Sequence, residues 1–162
     1  MQTTQTRTPA FLLAGLILAA DLISKAIVVK LLAYGAQLEL APSVNIVHSM
    51  NKGAAFGLLS TAGGWQRFLF IGVAVIASAL LIWMIKGAKS TAPERMGLAM
   101  ILGGALGNLV DRVAHSGVVD WIDVYLGSWH WPAFNIADIG ITLGAAAIIF
   151  CELLGLSHKP SA

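Results

Sequence analysis

Four long apolar stretches restrict what this chain can fold into more than any other feature of its sequence. They cover residues 10–33, 66–85, 95–113 and 136–156, and each approaches the roughly 20 residues that a helix needs to cross a bilayer. Only 11% of the 162 residues are charged, whereas a soluble domain carries about a quarter. Four spans and two sizeable connections use the whole length. We therefore predict one all-α integral membrane domain over residues 1–162, with four transmembrane helices.

The first span also has features of a cleaved signal peptide. Arg7 precedes "FLLAGLILAA", and cleavage after Ala20 is conceivable. However, the apolar pattern resumes past Asp21 and continues to Ala33, which makes it longer than the apolar core of a typical signal peptide. We interpret this segment as a retained helix.

Composition and motifs exclude several other classes of protein. A formal charge of +2 is too small to indicate nucleic-acid binding. The single cysteine, Cys151, rules out a disulfide or a thiolate metal site within one chain. The four histidines have no metal-ligand spacing, and the sequence contains no serine-hydrolase elbow and no phosphate-binding glycine motif. We expect no metal and no cofactor.

The basic residues predict the orientation of the chain. Four spans place both termini on one side, and the side with the termini carries the larger number of lysines and arginines. That side holds Arg7, Lys86, Lys89, Arg95 and Lys159, and the opposite side holds Lys30, Lys52, Arg67 and Arg112. Because positive residues favour the cytoplasm, we expect both termini to be cytoplasmic.

Most acidic residues gather at the opposite level, in the outer half of the membrane or beyond it. They are Asp21, Glu39, Asp111, Asp120, Asp123 and Asp138. An ionisable group inside a membrane usually faces a partner or a wet cavity, and the amide of Asn108 also needs a partner there. Several such groups at one depth predict a functional site near the outer interface.

Some of these polar residues have a structural explanation. Asp21 and Lys25 lie four residues apart and can pair across one helical turn, so an ion pair is favoured for them over a chemical role. Asn108, Asp111 and Arg112 share one helix face through spacings of three and four. For Arg112, interfacial anchoring and contact with substrate remain two open interpretations.

The acids in the last two segments are harder to rank. Asp120 and Asp123 are the same residue type in the same connection, and nothing in their neighbours separates them. Asp138 begins the last span, where a helix N-terminus stabilises a carboxylate by about 0.3–1 kcal/mol. This stabilisation accounts for Asp138 alone, and it does not explain why other polar groups are predicted at the same depth in the membrane.

Two carboxylates at a water-accessible membrane edge indicate one type of reaction. Such a pair shares a proton, so its ionised member can activate water while the other protonates a peptide carbonyl, as in aspartic proteases. Two alternatives remain: a proton-coupled transporter, whose acids usually lie near the midplane, and a purely structural four-helix protein.

The connections between spans carry strand patterns. In the outer connection at 34–65, Leu38 and Leu40 alternate with polar neighbours, as do Val44 and Ile46, which predicts a short β-element on the outer surface. We also expect this connection to move over the site. The second outer connection, "HSGVVDWIDVYLGSWHWPA", favours a strand or an interfacial helix.

Five segments resemble the signal peptidase II family of lipoprotein signal peptidases, in order and over nearly the whole length. They are "DLISK" at 21–25, "NKGAAFG" at 51–57, "GGALGNLVDR" at 103–112, "GVVDWID" at 117–123 and "FNIADIGI" at 134–141. The glycines of "GGALG" also predict close packing between helices. The resemblance implies four transmembrane helices with a small β-rich cradle on the outer face. Trp121 departs from it, because a phenylalanine is more usual there.

The resemblance also implies a function and a set of residues. It points to an aspartic endopeptidase of the bacterial inner membrane, which removes the signal peptide from diacylglyceryl-modified prolipoproteins just before the lipidated cysteine. We expect a monomer in contact with membrane lipid. The implied catalytic acids are Asp120 and Asp138. The implied supporting residues are Asn51, Asn108, Arg112 and Asn135, and the structural polar residues are Asp21, Lys25 and Asp111.

Overall fold

Four long helices and a small antiparallel sheet make up the computed structural model, which describes residues 7–53, 63–87 and 90–156. The elements are α1 (Arg7–Leu31), β1 (Gln37–Ala41), β2 (Val44–Asn51), α2 (Gln66–Lys86), α3 (Ala92–Ala114), β3 (Val118–Leu126), β4 (Trp129–His130) and α4 (Ile136–Leu153). All four helices are long and apolar enough to cross a membrane. The predicted fold class is confirmed.

The helix ends follow local signals that hydropathy does not carry. Helix α3 begins three residues before the predicted span because Thr91 caps it: the Thr91 hydroxyl accepts from the backbone of Glu94, whose carboxylate accepts from the Thr91 backbone at 2.6 Å. Helix α1 continues without a break through Ala20 and Asp21, as the interpretation of a retained helix requires.

Helix α3 is the centre of the bundle. It contacts α1, α2 and α4, and half of its most apolar window is buried, against roughly a fifth for the other three helices. Its glycines allow this: a Cβ at Gly103 would lie 2.6 Å from the carbonyl oxygen of Ala14 in α1, and one at Gly104 would overlap the carbonyl oxygen of Ala137 in α4. The close packing predicted from "GGALG" is confirmed.

The sheet has the strand order β1-β2-β3-β4 and is antiparallel throughout. Strands β1 and β2 form the predicted β-element, and β3 and β4 show that the second connection is strand rather than interfacial helix. Residues 54–57 of the "NKGAAFG" segment lie outside the described residues, as does most of the segment that leads to α2. Movement of the first connection therefore stays a prediction.

The entry to α4 is attached to the sheet. Phe134 forms an antiparallel bridge with Ile122 of β3, with backbone hydrogen bonds of 2.8 and 3.0 Å. The chain thus returns along β3 immediately before α4 begins. This arrangement brings the first turn of α4 beside the start of β3, where the site lies.

Candidate active site

A cavity of about 750 Å³ opens where β2, β3, α3 and α4 meet. Its polar lining includes Asn51, Asn108, Arg112, Asp120 and Asp138. Five of the residues predicted for catalysis or its support therefore share one space. The sixth, Asn135, lies behind it, fully buried.

Asp138 is placed by the start of α4. Asn135 is the N-cap of this helix: its Oδ1 accepts from the Asp138 backbone N–H at 3.0 Å, and the Asp138 carboxylate accepts from the Asn135 N–H at 3.3 Å. This reciprocal capping box satisfies two backbone donors at the helix end. It also fixes the Asp138 side chain on the first turn, where its other oxygen faces the cavity and Asn108.

Asp120 is placed by strand β3 and is only 3% exposed. Its Oδ1 accepts from Asn135 Nδ2 at 2.7 Å. Burial raises the pKa of Asp120 to about 7, and the negative charge of Asp138 adds to this effect, against hydrogen bonds from Asn51 and Asn135. Asp120 is therefore still about half protonated near pH 7, whereas an ordinary aspartate is almost fully ionised there.

Asn108 of α3 links the two acids through hydrogen bonds to Asp138 and to Asn135. Its Nδ2 donates to Asp138 Oδ1 at 2.9 Å, and its Oδ1 accepts from Asn135 Nδ2 at 3.3 Å. Because Asn135 also holds Asp120, the two asparagines form a continuous chain of hydrogen bonds from one carboxyl to the other. The amide predicted to need a partner within the span has three, the third being Lys25 at 3.2 Å.

The three residues predicted to be structural form a buried cluster beneath the site. Lys25 Nζ lies 2.7 Å from an Asp21 oxygen and 2.9 Å from an Asp111 oxygen. Each acid also accepts a backbone N–H: Asp21 from Ala137 at 2.9 Å, and Asp111 from Val119 at 3.0 Å. The cluster therefore ties the start of α4 and the start of β3 to the helix bundle.

Arg112 lies at the rim of the cavity. Its guanidinium donates to the backbone oxygens of Asn108 and Gly53, at 3.3 and 3.2 Å, and lies 5.1 Å from the ring centroid of Phe70. Asn51, at the end of β2, accepts from the Gly53 N–H at 3.0 Å and also interacts with Asp120. Arg112 is thus within the site, and it also holds Gly53, two residues after the end of β2.

Asp123 is separated from the cavity. Three residues along a strand place two side chains on opposite faces, and Asp123 accepts from Asn45 at 2.7 Å and contacts His130 at 2.9 Å. Burial acts to raise the pKa of Asp123, but the hydrogen bonds from Asn45 and His130 outweigh it and hold the pKa below the ordinary value. Asp123 is a structural carboxylate of the sheet.

Comparison with known proteins gives the family. The model of the peptidase family described as signal peptidase (SPase) II matches residues 13–154. The chain belongs to the signal peptidase II family.

Relatives and solved structures agree with this assignment. The chain is 47% identical to a lipoprotein signal peptidase of Serratia marcescens over 150 residues (93% of this chain, 88% of the relative). It is 43% identical to one of Paraburkholderia phymatum over 140 residues (86% and 84%). A solved bacterial membrane enzyme is similar with a TM-score of 0.83 at 29% identity, covering 96% of this chain and 94% of the other. A second has a TM-score of 0.79 at 30% identity, covering 90% and 93%.

Membership of the signal peptidase II family confirms the resemblance and the prediction of a membrane peptidase. Asp120 lines the cavity and Asp123 does not. The structure therefore distinguishes two acids that the neighbouring sequence could not. The signal was present in the spacing of three, but it needed the strand assignment of "VVDWIDVYL" to be interpreted.

One contact was not foreseen from the sequence. Asp21 accepts a hydrogen bond from the second residue of α4, Ala137, although 116 positions separate them. An acid in the middle of one span capping the start of another has no local sequence signal. The contact does require a glycine at position 107, because a side chain there would collide with the Asp21 carboxylate.

Proposed function

We propose that Asp120 and Asp138 are the catalytic pair with which this member of the signal peptidase II family removes the signal peptide from a prolipoprotein. The observation that supports the pair is their shared environment: both carboxyls line one cavity and are linked through Asn108 and Asn135. The negative charge of Asp138 contributes to the raised pKa of Asp120. The proposed cleavage position is just before the diacylglyceryl-modified cysteine.

We infer the roles within the pair from the different environments of the two carboxyls. Asp120 is buried and has a pKa of about 7, so it is the member that carries the proton. Asp138 is the ionised member, and Asn108 Nδ2 and the Asn135 N–H donate to it. A carboxylate held by donors in this way is suited to act as the general base.

The reaction then follows with a balanced exchange of protons. Asp138 takes a proton from water as the water oxygen attacks the scissile carbonyl carbon, and Asp120 gives its proton to the carbonyl oxygen, which produces a neutral gem-diol. When the C–N bond breaks, Asp138 returns its proton to the leaving nitrogen and Asp120 recovers one from a diol hydroxyl. Both acids end in their starting states.

The location of the cavity fits a lipid-bearing substrate. The acids lie where the ends of two membrane-spanning helices meet the sheet, and we place this level at the outer leaflet, with both termini in the cytoplasm of a bacterial inner membrane. A prolipoprotein anchored there by its diacylglyceryl group would present the scissile bond at the same depth. The Arg112 guanidinium at the rim is suited to a substrate carbonyl or ester oxygen.

All the groups that this mechanism uses come from one chain. Asp120, Asp138 and the asparagines that hold them are supplied by β3, α3 and the α4 cap of the same molecule. We therefore propose that the monomer is the active unit, within membrane lipid.

Separate substitution of the three aspartates tests the pair. We expect Asp120→Asn and Asp138→Asn each to lower the cleavage rate of a diacylglyceryl-modified prolipoprotein peptide by roughly 10³-fold or more, because each role requires a titratable carboxyl. Asp123→Asn is the matched control: it changes the same residue type on the same strand, outside the cavity, and should retain activity within about tenfold.

The measurement is the initial rate of signal-peptide release by purified protein in detergent or lipid. Retention of the wild-type rate by either Asp120→Asn or Asp138→Asn would disprove the pair. A protein that moved protons across vesicles without cleaving the peptide would instead support the transporter alternative.

A further inference from the structure

Lys25 makes three contacts that together use its three ammonium hydrogens. They go to an Asp21 oxygen at 2.7 Å, an Asp111 oxygen at 2.9 Å and Asn108 Oδ1 at 3.2 Å. The residue is only 3% exposed. Two of the contacts neutralise charge and are structural. The third is a hydrogen bond to Asn108, whose amide in turn donates to the proposed catalytic carboxyl of Asp138. The ion pairs of Lys25 do not require this third contact.

The contact with Asn108 decides which way that amide faces. An asparagine amide has two nearly isosteric orientations that exchange a donor for an acceptor. In the observed orientation, Oδ1 faces the Lys25 ammonium and Nδ2 faces the Asp138 carboxylate, at 3.2 and 2.9 Å. The reversed orientation would place a donor against the ammonium and an oxygen against the carboxylate, and both contacts would be repulsive in a buried site.

Asn135 alone cannot enforce the same choice as strongly. Its Nδ2 also donates to Asn108 Oδ1, but at 3.3 Å, and the same nitrogen lies 2.7 Å from Asp120 Oδ1. An ammonium is charged and only donates, so its hydrogen bond is stronger than one from a shared neutral amide. Lys25 is therefore the main constraint on the Asn108 amide.

We propose that Lys25 is a positioning residue of the reaction: its ammonium holds the Asn108 amide in the one orientation that donates to the Asp138 carboxylate. The proposal rests on the proposed function, since it takes Asp138 as a member of the catalytic pair. Asp21 and Asp111, in turn, hold the ammonium in place. The buried cluster thus acts on the chemistry through a single side chain, Asn108, in addition to joining the helices.

Two double variants test this role while keeping the net charge of the cluster constant. One is Asp21→Asn/Lys25→Met and the other is Lys25→Met/Asp111→Asn. Each removes one positive and one negative charge, so the net charge of the cluster stays the same. Each new asparagine can still accept its backbone hydrogen bond, from Ala137 or from Val119. What the two variants share is the loss of the donor to Asn108.

We expect both double variants to lower kcat for a diacylglyceryl-modified prolipoprotein peptide by about 10- to 100-fold, as misplacement of a reacting group does. KM should change by less than about threefold, because Lys25 does not line the cavity and so does not contact substrate. Lys30→Met is the matched control, since Lys30 is an exposed lysine near the end of the same helix. It should leave kcat and KM unchanged.

Adding Asn108→Leu separates action through Asn108 from other effects. If Lys25 acts through this amide, the added substitution should lower the kcat of either double variant by less than about threefold, whereas it should lower that of the wild type strongly. Equal effects of Asn108→Leu in both backgrounds would overturn the proposal.

A folded double variant with kcat within threefold of the wild type would also overturn it. So would failure of both double variants to fold, measured by thermal unfolding in detergent, because Lys25 would then be required for folding alone. In either case, loss of cleavage in the Asp120→Asn and Asp138→Asn variants would still support the proposed catalytic pair. Cleavage by those two variants would instead reject the pair itself.

Discussion

Asp120 and Asp123 belong to one strand and have opposite electrostatic environments. Burial and the charge of Asp138 raise the pKa of Asp120 to about 7, whereas donors from Asn45 and His130 hold the pKa of Asp123 below its ordinary value. The folded protein therefore favours a proton on Asp120 and disfavours one on Asp123. Their charges should have opposite effects on the free energy of unfolding.

This difference predicts opposite stability changes at alkaline pH. Asp120 has a raised pKa, so its ionisation costs stability progressively between the ordinary value of 3.8 and about pH 7, and fully above that. Asp120→Asn should therefore raise the unfolding temperature at pH 8 and change it little at pH 4. A cost of a few kcal/mol follows from about 1.4 kcal/mol per pKa unit.

Asp123→Asn is the opposite case in the same measurement. Its lowered pKa means that the ionised carboxylate stabilises the fold above the ordinary pKa and that this contribution is lost as the pH falls. The variant should thus unfold at a lower temperature than the wild type at pH 8. Thermal unfolding in detergent at pH 4 and pH 8 measures both. A lower unfolding temperature for Asp120→Asn at pH 8 would contradict the assigned environment.

At the level of elements, the crossing of α3 and α4 sets the geometry of the site. Gly104 packs directly on the backbone of Ala137, and Gly97 and Gly144 approach each other in the same way further along. Backbone atoms cannot move aside as side chains do. The separation of the two helices, and with it the Asn108–Asp138 hydrogen bond of 2.9 Å, depends on these glycines.

We therefore expect Gly104→Ala to lower both stability and activity. The added methyl group would overlap the Ala137 carbonyl oxygen, and overpacking of this kind costs about 1–3 kcal/mol. Gly72→Ala in α2 is the control, because a Cβ there meets nothing within 4 Å. Unfolding temperature and peptide cleavage are measured for both variants. Equal behaviour of the two would show that the α3–α4 crossing tolerates a side chain.

Some element boundaries could be predicted from the sequence and others could not. The alternation around Leu38 and Val44 correctly predicted strands β1 and β2, although β1 is exposed along its whole length. The second connection stayed ambiguous between strand and helix because aromatic and β-branched residues suit both an interface and a sheet. The start of α3 at Ala92 was missed, as hydropathy does not detect a polar cap such as Thr91.

In the whole molecule, one end of the helix bundle carries the sheet and the site, and the other carries the end of α2, the start of α3 and the end of α4. Hydropathy was sufficient to predict the four spans, because apolar length is the main requirement for crossing a bilayer. The pairing of Asp120 with Asp138 came from family resemblance. Burial of Asp120 and the hydrogen bond from the Ala137 N–H of α4 to Asp21 depend on tertiary packing, which the linear sequence does not reveal.

The proposed orientation of the molecule can be measured with its single cysteine removed. In a Cys151→Ser background, the Glu39→Cys variant places a thiol on exposed strand β1, and Leu156→Cys places one on the exposed residue that follows α4. A membrane-impermeant maleimide should label the first in intact spheroplasts and the second only after permeabilisation, since the termini are proposed to be cytoplasmic. The reverse labelling pattern would invert the proposed topology.

The amide of Asn135 has two ends with different tasks. Its oxygen caps α4 and its nitrogen holds the Asp120 carboxyl, at 3.0 and 2.7 Å. Serine, threonine and aspartate ordinarily replace asparagine at a helix cap. None of them has both an acceptor oxygen and an NH₂ group in one rigid plane. Of the usual cap residues, only asparagine can therefore make both contacts at position 135. A substitution that leaves the helix intact would still uncouple the strand acid from the helix acid.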